Sequence, residues 1–240
     1  MLQKICDSLL TLAYPQICHV CSGSVEDSAG GVVCRDCWRA ARIFTGDETL
    51  CGKCAAFLRP RPSNFQTFCH RCDDHFYDRA RAAGLYETAL AASVLYLKRE
   101  PFVAAHLKDL FISAFESSSF QDTELIMPVP LSKKRLLERG FNQAEILAEI
   151  LAERFGAEID RQSLARKVHT PVHRAGMDRR ARELTVENAF EVTRPNFVKS
   201  KKILLVDDVL TSGATVSHCA KALKKKGADK VYVLTLARAV

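Results

Sequence analysis

The feature that most constrains this chain is the stretch 201–215, which reads Lys-Lys-Ile-Leu-Leu-Val-Asp-Asp-Val-Leu-Thr-Ser-Gly-Ala-Thr. Ile203 to Val206 are four consecutive bulky apolar residues, as expected of a strand buried on both faces at the centre of a parallel sheet. Two carboxylates follow, Asp207 and Asp208, and then a loop of small and hydroxylated residues from Thr211 to Thr215. The spacing predicts a helix over 216–226, with Ala220 and Leu223 on one face and Gly227 as its stop signal. Strand, acidic pair, small loop and helix in that order place backbone N–H groups and a helix N-terminus around an anion. The acids beside it can accept hydrogen bonds from ribose hydroxyls or help hold Mg²⁺. A lone Asp-Asp would fit a solvated turn; this ordered run points to a sugar-phosphate site.

The other end of the chain is organised by cysteine. Eight of the ten cysteines form four Cys-x-x-Cys pairs: Cys18 and Cys21, Cys34 and Cys37, Cys51 and Cys54, Cys69 and Cys72. Each turn presents two thiolates to one tetrahedral ion and two turns complete a shell, so four turns imply two structural zinc ions. Disulfides are disfavoured in a chain that shows no secretory signal, and a thioredoxin-like motif would use one such pair inside a βαβ unit. Sequential grouping, first turn with second and third with fourth, is preferred, although spacing also permits interleaving. His19, His70 and His75 are read as surface residues because the thiols already suffice, and Cys6 and Cys219 as packing residues. Few bulky apolar residues separate the knuckles, so metal is expected to carry most of the folding energy there.

No apolar run approaches the ~20 residues that span a bilayer, and 1–14 reads as a short helix packing on the core, so a cytoplasmic protein is expected. Residues 1–80 carry nine basic and nine acidic residues, which leaves the whole net charge of +7 in 81–240. A basic half implies polyanionic partners, whereas the cysteine segment lacks a basic stripe and suits a structural or docking role. Residues 73–82 are polar and mark the boundary between the halves. Beyond it, a strand is predicted to start at 83–86, with helices over 89–97 and 102–115 and a strand over 124–127. Basic residues Lys133, Lys134, Arg135 and Arg139 follow; alone they would read as a solvated loop, but after a strand end they become a candidate pyrophosphate or nucleic-acid contact. A helix from Asn142 to Phe155 comes next, the asparagine being a good N-cap and Gly156 the stop. The last strand is expected over 230–236.

Val206 to Thr215 resembles the phosphoribosyl-pyrophosphate (PRPP) motif of type I phosphoribosyltransferases. Pro128-Val129-Pro130, Arg135, the run Arg139-Gly-Phe-Asn-Gln143 and Lys98 after an apolar helix resemble the signature of the ComF/GntX family. That resemblance covers nearly the whole chain. It implies an α/β fold, a doubly wound and mostly parallel phosphoribosyltransferase-like sheet over 79–240. A small helix and double zinc-ribbon-like domain over 1–78 would precede it. Asp207 and Asp208 would then bind the ribose 2′ and 3′ hydroxyls, and Thr211, Ser212, Gly213, Ala214 and Thr215 would cradle the 5′-phosphate. Residues 161–182, with seven basic residues and one acid, resemble the hood loop that closes over PRPP, in a loosened form.

The implied reaction displaces pyrophosphate from C1 of PRPP through an oxocarbenium-like transition state, with Mg²⁺ bridging the ribose hydroxyls and the diphosphate. Lys98, Arg135 and Arg139 are the catalytic candidates, stabilising charge on the leaving group. Purine-salvage members of the fold place an aspartate general base where this chain has Thr211, so PRPP binding has more support than turnover. The family is associated with natural competence and the uptake or use of external DNA. Two other readings follow, a non-catalytic protein that binds single-stranded DNA and a zinc-ribbon adaptor docking on competence or DNA-processing proteins.

Overall fold

The computed structural model describes residues 16–58, 68–167 and 189–239. The helix expected over 1–14, Cys6, and most of the hood-like segment (168–182) lie outside the described residues. In chain order the elements are α1 (Arg35–Arg39), β1 (Arg79–Leu85), α2 (Thr88–Leu97), α3 (Ala105–Glu116), β2 (Leu125–Pro128), α4 (Lys133–Arg139) and α5 (Gln143–Phe155). There follow β3 (Glu158–Ile159), β4 (Leu164–Arg166), β5 (Phe190–Val192), α6 (Pro195–Val198), β6 (Lys202–Leu210), α7 (Ala214–Lys225) and β7 (Lys230–Arg238). No described helix is long and apolar enough to cross a membrane.

Five strands form a parallel sheet in the order β1-β7-β6-β2-β3, and β4 and β5 form a separate antiparallel ribbon. The apolar run of β6 alternates between two cores. Leu204 and Val206 pack with α2, α3 and α5, while Ile203 and Leu205 pack with α7. Burial on both faces explains why this strand reads as an unbroken apolar run rather than an alternating one. The chain leaves β2 for β3 on one side and leaves β6 for β7 on the other. The carboxyl ends of β2 and β6 therefore flank the topological switch point, where ligands bind in open α/β sheets.

One expectation is corrected here. The acidic pair does not follow the strand but lies within it. Partner β7 continues to Arg238, pairing Asp207 with Thr235 and Leu210 with Arg238; this ladder outlasts the apolar run. The basic stretch 133–139 forms a helix, α4. It contains only good helix formers, the Ser132 hydroxyl accepts from Arg135 N at 3.4 Å, and Gly140 ends it at φ 77°.

The cysteine segments are built into both cores. Cys18, Val25, Val33, Cys34 and Trp38 join the core on the α2 and α3 side, and Cys51, Cys54, Cys72 and Tyr77 join the one on the α7 side. Trp38 supplies the bulk that the spacing argument overlooked: its indole donates to Gly30 O at 2.9 Å and meets His106 of α3 edge-on. Residues 42–44 cover the free edge of β1, with Leu85 N donating to Arg42 O at 2.9 Å and Phe44 N to Ala83 O at 2.8 Å. An edge strand so covered cannot recruit another chain. Gly84 permits the approach, since a Cβ there would stand 2.4 Å from Arg42 O. Within the polar stretch 73–82 some side chains are buried or bonded. Tyr77 is fully buried, and Asp78 accepts from Val231 N at 2.7 Å and pairs with Lys224 at 2.7 Å.

Candidate functional site

Asp207 and Asp208 stand at the end of β6, just past the point where β2 stops pairing at Pro128 opposite Val206. Their carboxylates turn back on the backbone: Asp208 N donates to Asp207 Oδ1 at 2.9 Å and Val209 N to Asp208 Oδ1 at 2.9 Å. Lys98, the residue that ends α2, reaches Asp208 Oδ2 at 2.8 Å. Asp208 is buried and Asp207 half-buried. Burial, and then the neighbouring Asp208 carboxylate, push the Asp207 carboxyl well above the usual range. Two carboxylates on consecutive residues, one short of compensating charge, form a site prepared for cations or hydroxyl donors.

Beyond Leu210 the chain turns through Thr211, Ser212 and Gly213 into α7. Gly213 is required, because its φ is 82° and a Cβ would stand 2.6 Å from His75 Cε1 and 3.1 Å from the Tyr77 hydroxyl. The first turn of α7 contains no acid, and Ala214 N makes only a long side-chain hydrogen bond, to the Ser212 hydroxyl at 3.4 Å, an arrangement that suits an anion at this N-terminus. Thr211, Ser212, Ala214 and Thr215 are exposed. The sequence-predicted site residues on this side, Asp207 to Thr215, are thus brought together with Lys98.

Across the switch point, α4 carries Arg135 and Arg139. Arg139 Nη1 donates to Gln143 Oε1 at 2.7 Å. Asn142 caps α5 by accepting from Ala144 N at 3.1 Å and ties it to the end of β2 by donating to Val129 O at 3.2 Å. Arg166 on β4 joins this neighbourhood. Burial first and the Arg135 charge second hold its guanidinium below the usual range, while the Asp207 carboxylate opposes them.

Two residues near the loop escaped sequence reasoning. His75, expected on the surface, is half-buried and hydrogen-bonded through Nδ1 to the Tyr77 hydroxyl at 2.7 Å. Arg238 lies two residues past the predicted end of the last strand and donates from Nη1 to Leu210 O at 2.7 Å and to Thr211 O. A cavity of about 350 Å³ opens between His75, Thr211, Ser212, Arg238 and the second cysteine cluster. No periodicity marks these contacts, which depend on a segment more than 130 positions upstream folding against α7, where Phe76 N donates to Ser217 Oγ at 3.1 Å.

The cysteines gather into two tetrads, Cys18 with Cys21, Cys34 and Cys37, and Cys51 with Cys54, Cys69 and Cys72, each set of sulfurs lying within 4.8 Å of one another. The grouping is the sequential one. Close sulfur pairs stand 3.4 to 3.6 Å apart, near the roughly 3.8 Å edge of a tetrahedron with Zn–S of about 2.3 Å. Burial opposes charge on Cys18, but backbone N–H groups of Cys21, Cys34 and Val20 outweigh it and bring the thiol down to about 6. In the second tetrad, burial and the neighbouring sulfurs push Cys54 up to about 11. Four thiols this close cannot all ionise without a cation among them, so each tetrad can hold a zinc ion. His70, by contrast, is exposed.

Sheet order, twin acids at the switch point and a small-residue loop opening a helix define a type I phosphoribosyltransferase-like domain, and the phosphoribosyl transferase domain family matches residues 136–239. A DNA utilization protein of Salmonella typhimurium, YhgH, is 30% identical over 240 residues, spanning 98% of this chain and 95% of its own. The competence protein ComFC of Bacillus subtilis is 29% identical over 84% of this chain and 89% of its own, and competence protein F of Haemophilus influenzae 27% over 92% and 96%. The chain belongs to the ComF/GntX family.

Proposed function

We propose that this protein binds PRPP, or a closely related phosphorylated pentose, with Mg²⁺ at the carboxyl end of β6, and that it serves competence or DNA uptake and utilisation in the cytoplasm. The observation that carries the reading is the juxtaposition of Asp207 and Asp208 with the Thr211–Thr215 loop at the switch point, with Lys98 on Asp208. Asp207 and Asp208 accept the ribose hydroxyls. The amides of Thr211, Ser212, Gly213, Ala214 and Thr215 take the 5′-phosphate. Lys98, Arg135 and Arg139 face the diphosphate and stabilise charge building on it as the C1–O bond breaks. Bound Mg²⁺ would neutralise and orient the diphosphate. An acceptor N–H attacking C1 would give the N-ribosyl phosphate and pyrophosphate. Thr211 offers no general base at neutral pH, so the acceptor must supply its own basicity or lose its proton to solvent. The two cysteine tetrads hold structural zinc.

Phosphorus NMR tests this directly. Adding the protein to PRPP and Mg²⁺ should shift or broaden the 5′-phosphate resonance, and an accepted amine or base should convert the diphosphate signal to free pyrophosphate. An unperturbed 5′-phosphate resonance contradicts the binding reading; perturbation without conversion across a broad acceptor panel contradicts the transferase reading.

A second reading, contact with single-stranded DNA, is favoured by one surface. Lys167, Lys221, Lys225 and Lys226 line a recess of about 280 Å³ beside Phe190 and Glu191, and Lys221 also sits 4.8 Å above the half-exposed ring of Phe76. Affinity for a single strand should fall steeply with salt, and a flat salt response would remove this reading. Docking on competence or DNA-processing proteins would use the cysteine segments, where Ile17, Phe57 and Phe68 are exposed.

A further inference from the structure

Arg238 is a charged residue at the end of an otherwise apolar strand, and it is only 8% exposed. The register of β7 against β6 puts it opposite Leu210. Its Nη1 donates to Leu210 O at 2.7 Å, to Thr211 O and to Ala239 O at 2.7 Å. Its Nε is buried without a hydrogen-bond partner, and among the described residues no carboxylate pairs with the guanidinium. Burying a cation without a counter-ion is unfavourable, so its retention here calls for a function.

The peptide unit supplies one. In a planar trans peptide the carbonyl and the following N–H point in opposite directions. The Leu210 carbonyl is held rearward by Arg238 together with Ala239 N, which donates to it at 3.0 Å, and the Thr211 carbonyl by Arg238, so the N–H groups of Thr211 and Ser212 turn outward. Among the described residues, the amides of Thr211, Ser212 and Gly213 donate to no protein group. Gly213 is wedged from its other side by the hydrogen-bonded His75 and Tyr77. Outward-facing donors with a positive charge behind them are preorganised for an anion.

We propose that Arg238 is the positioning residue of the phosphate loop. It holds the loop carbonyls rearward so that the amides face a phosphomonoester, and its own unpaired charge complements that group. This rests on the sugar-phosphate reading of the same site.

The test is calorimetric affinity for ribose 5-phosphate, measured on the full chain and on Arg238→Ala, Arg238→Gln and Arg238→Lys, with circular dichroism as a check on folding. The wild type should bind, and Arg238→Ala should bind roughly tenfold or more weakly, as for the loss of hydrogen bonds from a charged group. Low concentrations of guanidinium ion, admitted by the adjoining cavity, should restore part of that loss, which a purely structural defect would not allow. Arg238→Lys, which keeps the charge, should bind more tightly than Arg238→Gln, which keeps only donors. If Arg238→Ala does not fold, this ordering decides the matter. Wild-type-like affinity in Arg238→Gln, or in a folded Arg238→Ala, overturns the inference while leaving the sugar-phosphate site intact. Absence of binding in the wild type overturns both.

Discussion

At the scale of single residues, the site sets stability against function. Asp207 has a folded-state pKa raised by burial and by Asp208, whereas an unfolded aspartate ionises near ~3.9. The folded protein therefore loses stability as pH rises from that ordinary value through the raised one. Asp207→Asn should melt higher than the wild type at neutral pH, by about 2–4 °C for each ~1 kcal/mol relieved, and the advantage should vanish in acid. Melts that show no pH-dependent gap would contradict this. Gly213→Ala should act in the opposite direction. A Cβ 2.6 Å from His75 at φ 82° should destabilise the fold by about 1–3 kcal/mol, read from denaturant midpoints. Asp207, Asp208 and the Thr211–Thr215 loop were legible because chemistry and order coincide there. His75 and Arg238 were not, because their roles come from what packs against them and nothing in their neighbours' identity reveals it.

At the scale of elements, the apolar runs and caps predicted the core of the sheet and the start of α5, while the end of β6 depended on context. β6 continues through two acids because β7 gives it a ladder to Arg238, a long-range cause that local pattern cannot contain. Asn142 shows how a cap also serves the site. It satisfies the N-terminus of α5 and the Val129 carbonyl just past β2. Asn142→Ala should cost about 1–2 kcal/mol, seen as a lower denaturant midpoint with an unchanged slope. A loss below a few tenths of a kcal/mol would show that the cap is dispensable.

At the scale of the molecule, cysteine spacing foretold the grouping that the tetrads adopt, yet not their place in the architecture. The first tetrad shares a core with α2, whose end supplies Lys98, and the second shares one with α7 and the wall behind the Thr211–Thr215 loop. The segment is therefore part of the site's framework rather than a detached appendage. Elemental analysis should give two zinc per chain. Cys51→Ser with Cys54→Ser should lower that to about one and shift the melting transition down, since structural zinc contributes folding energy. Two zinc retained in that variant would refute the second tetrad as a metal site.

The most direct trial is calorimetry with PRPP and Mg²⁺ on the wild type and on Asp208→Asn. The site described here requires saturable binding at one equivalent in the wild type and affinity roughly tenfold or more weaker in the variant. Equal heats in the two proteins, or none in either, would contradict it.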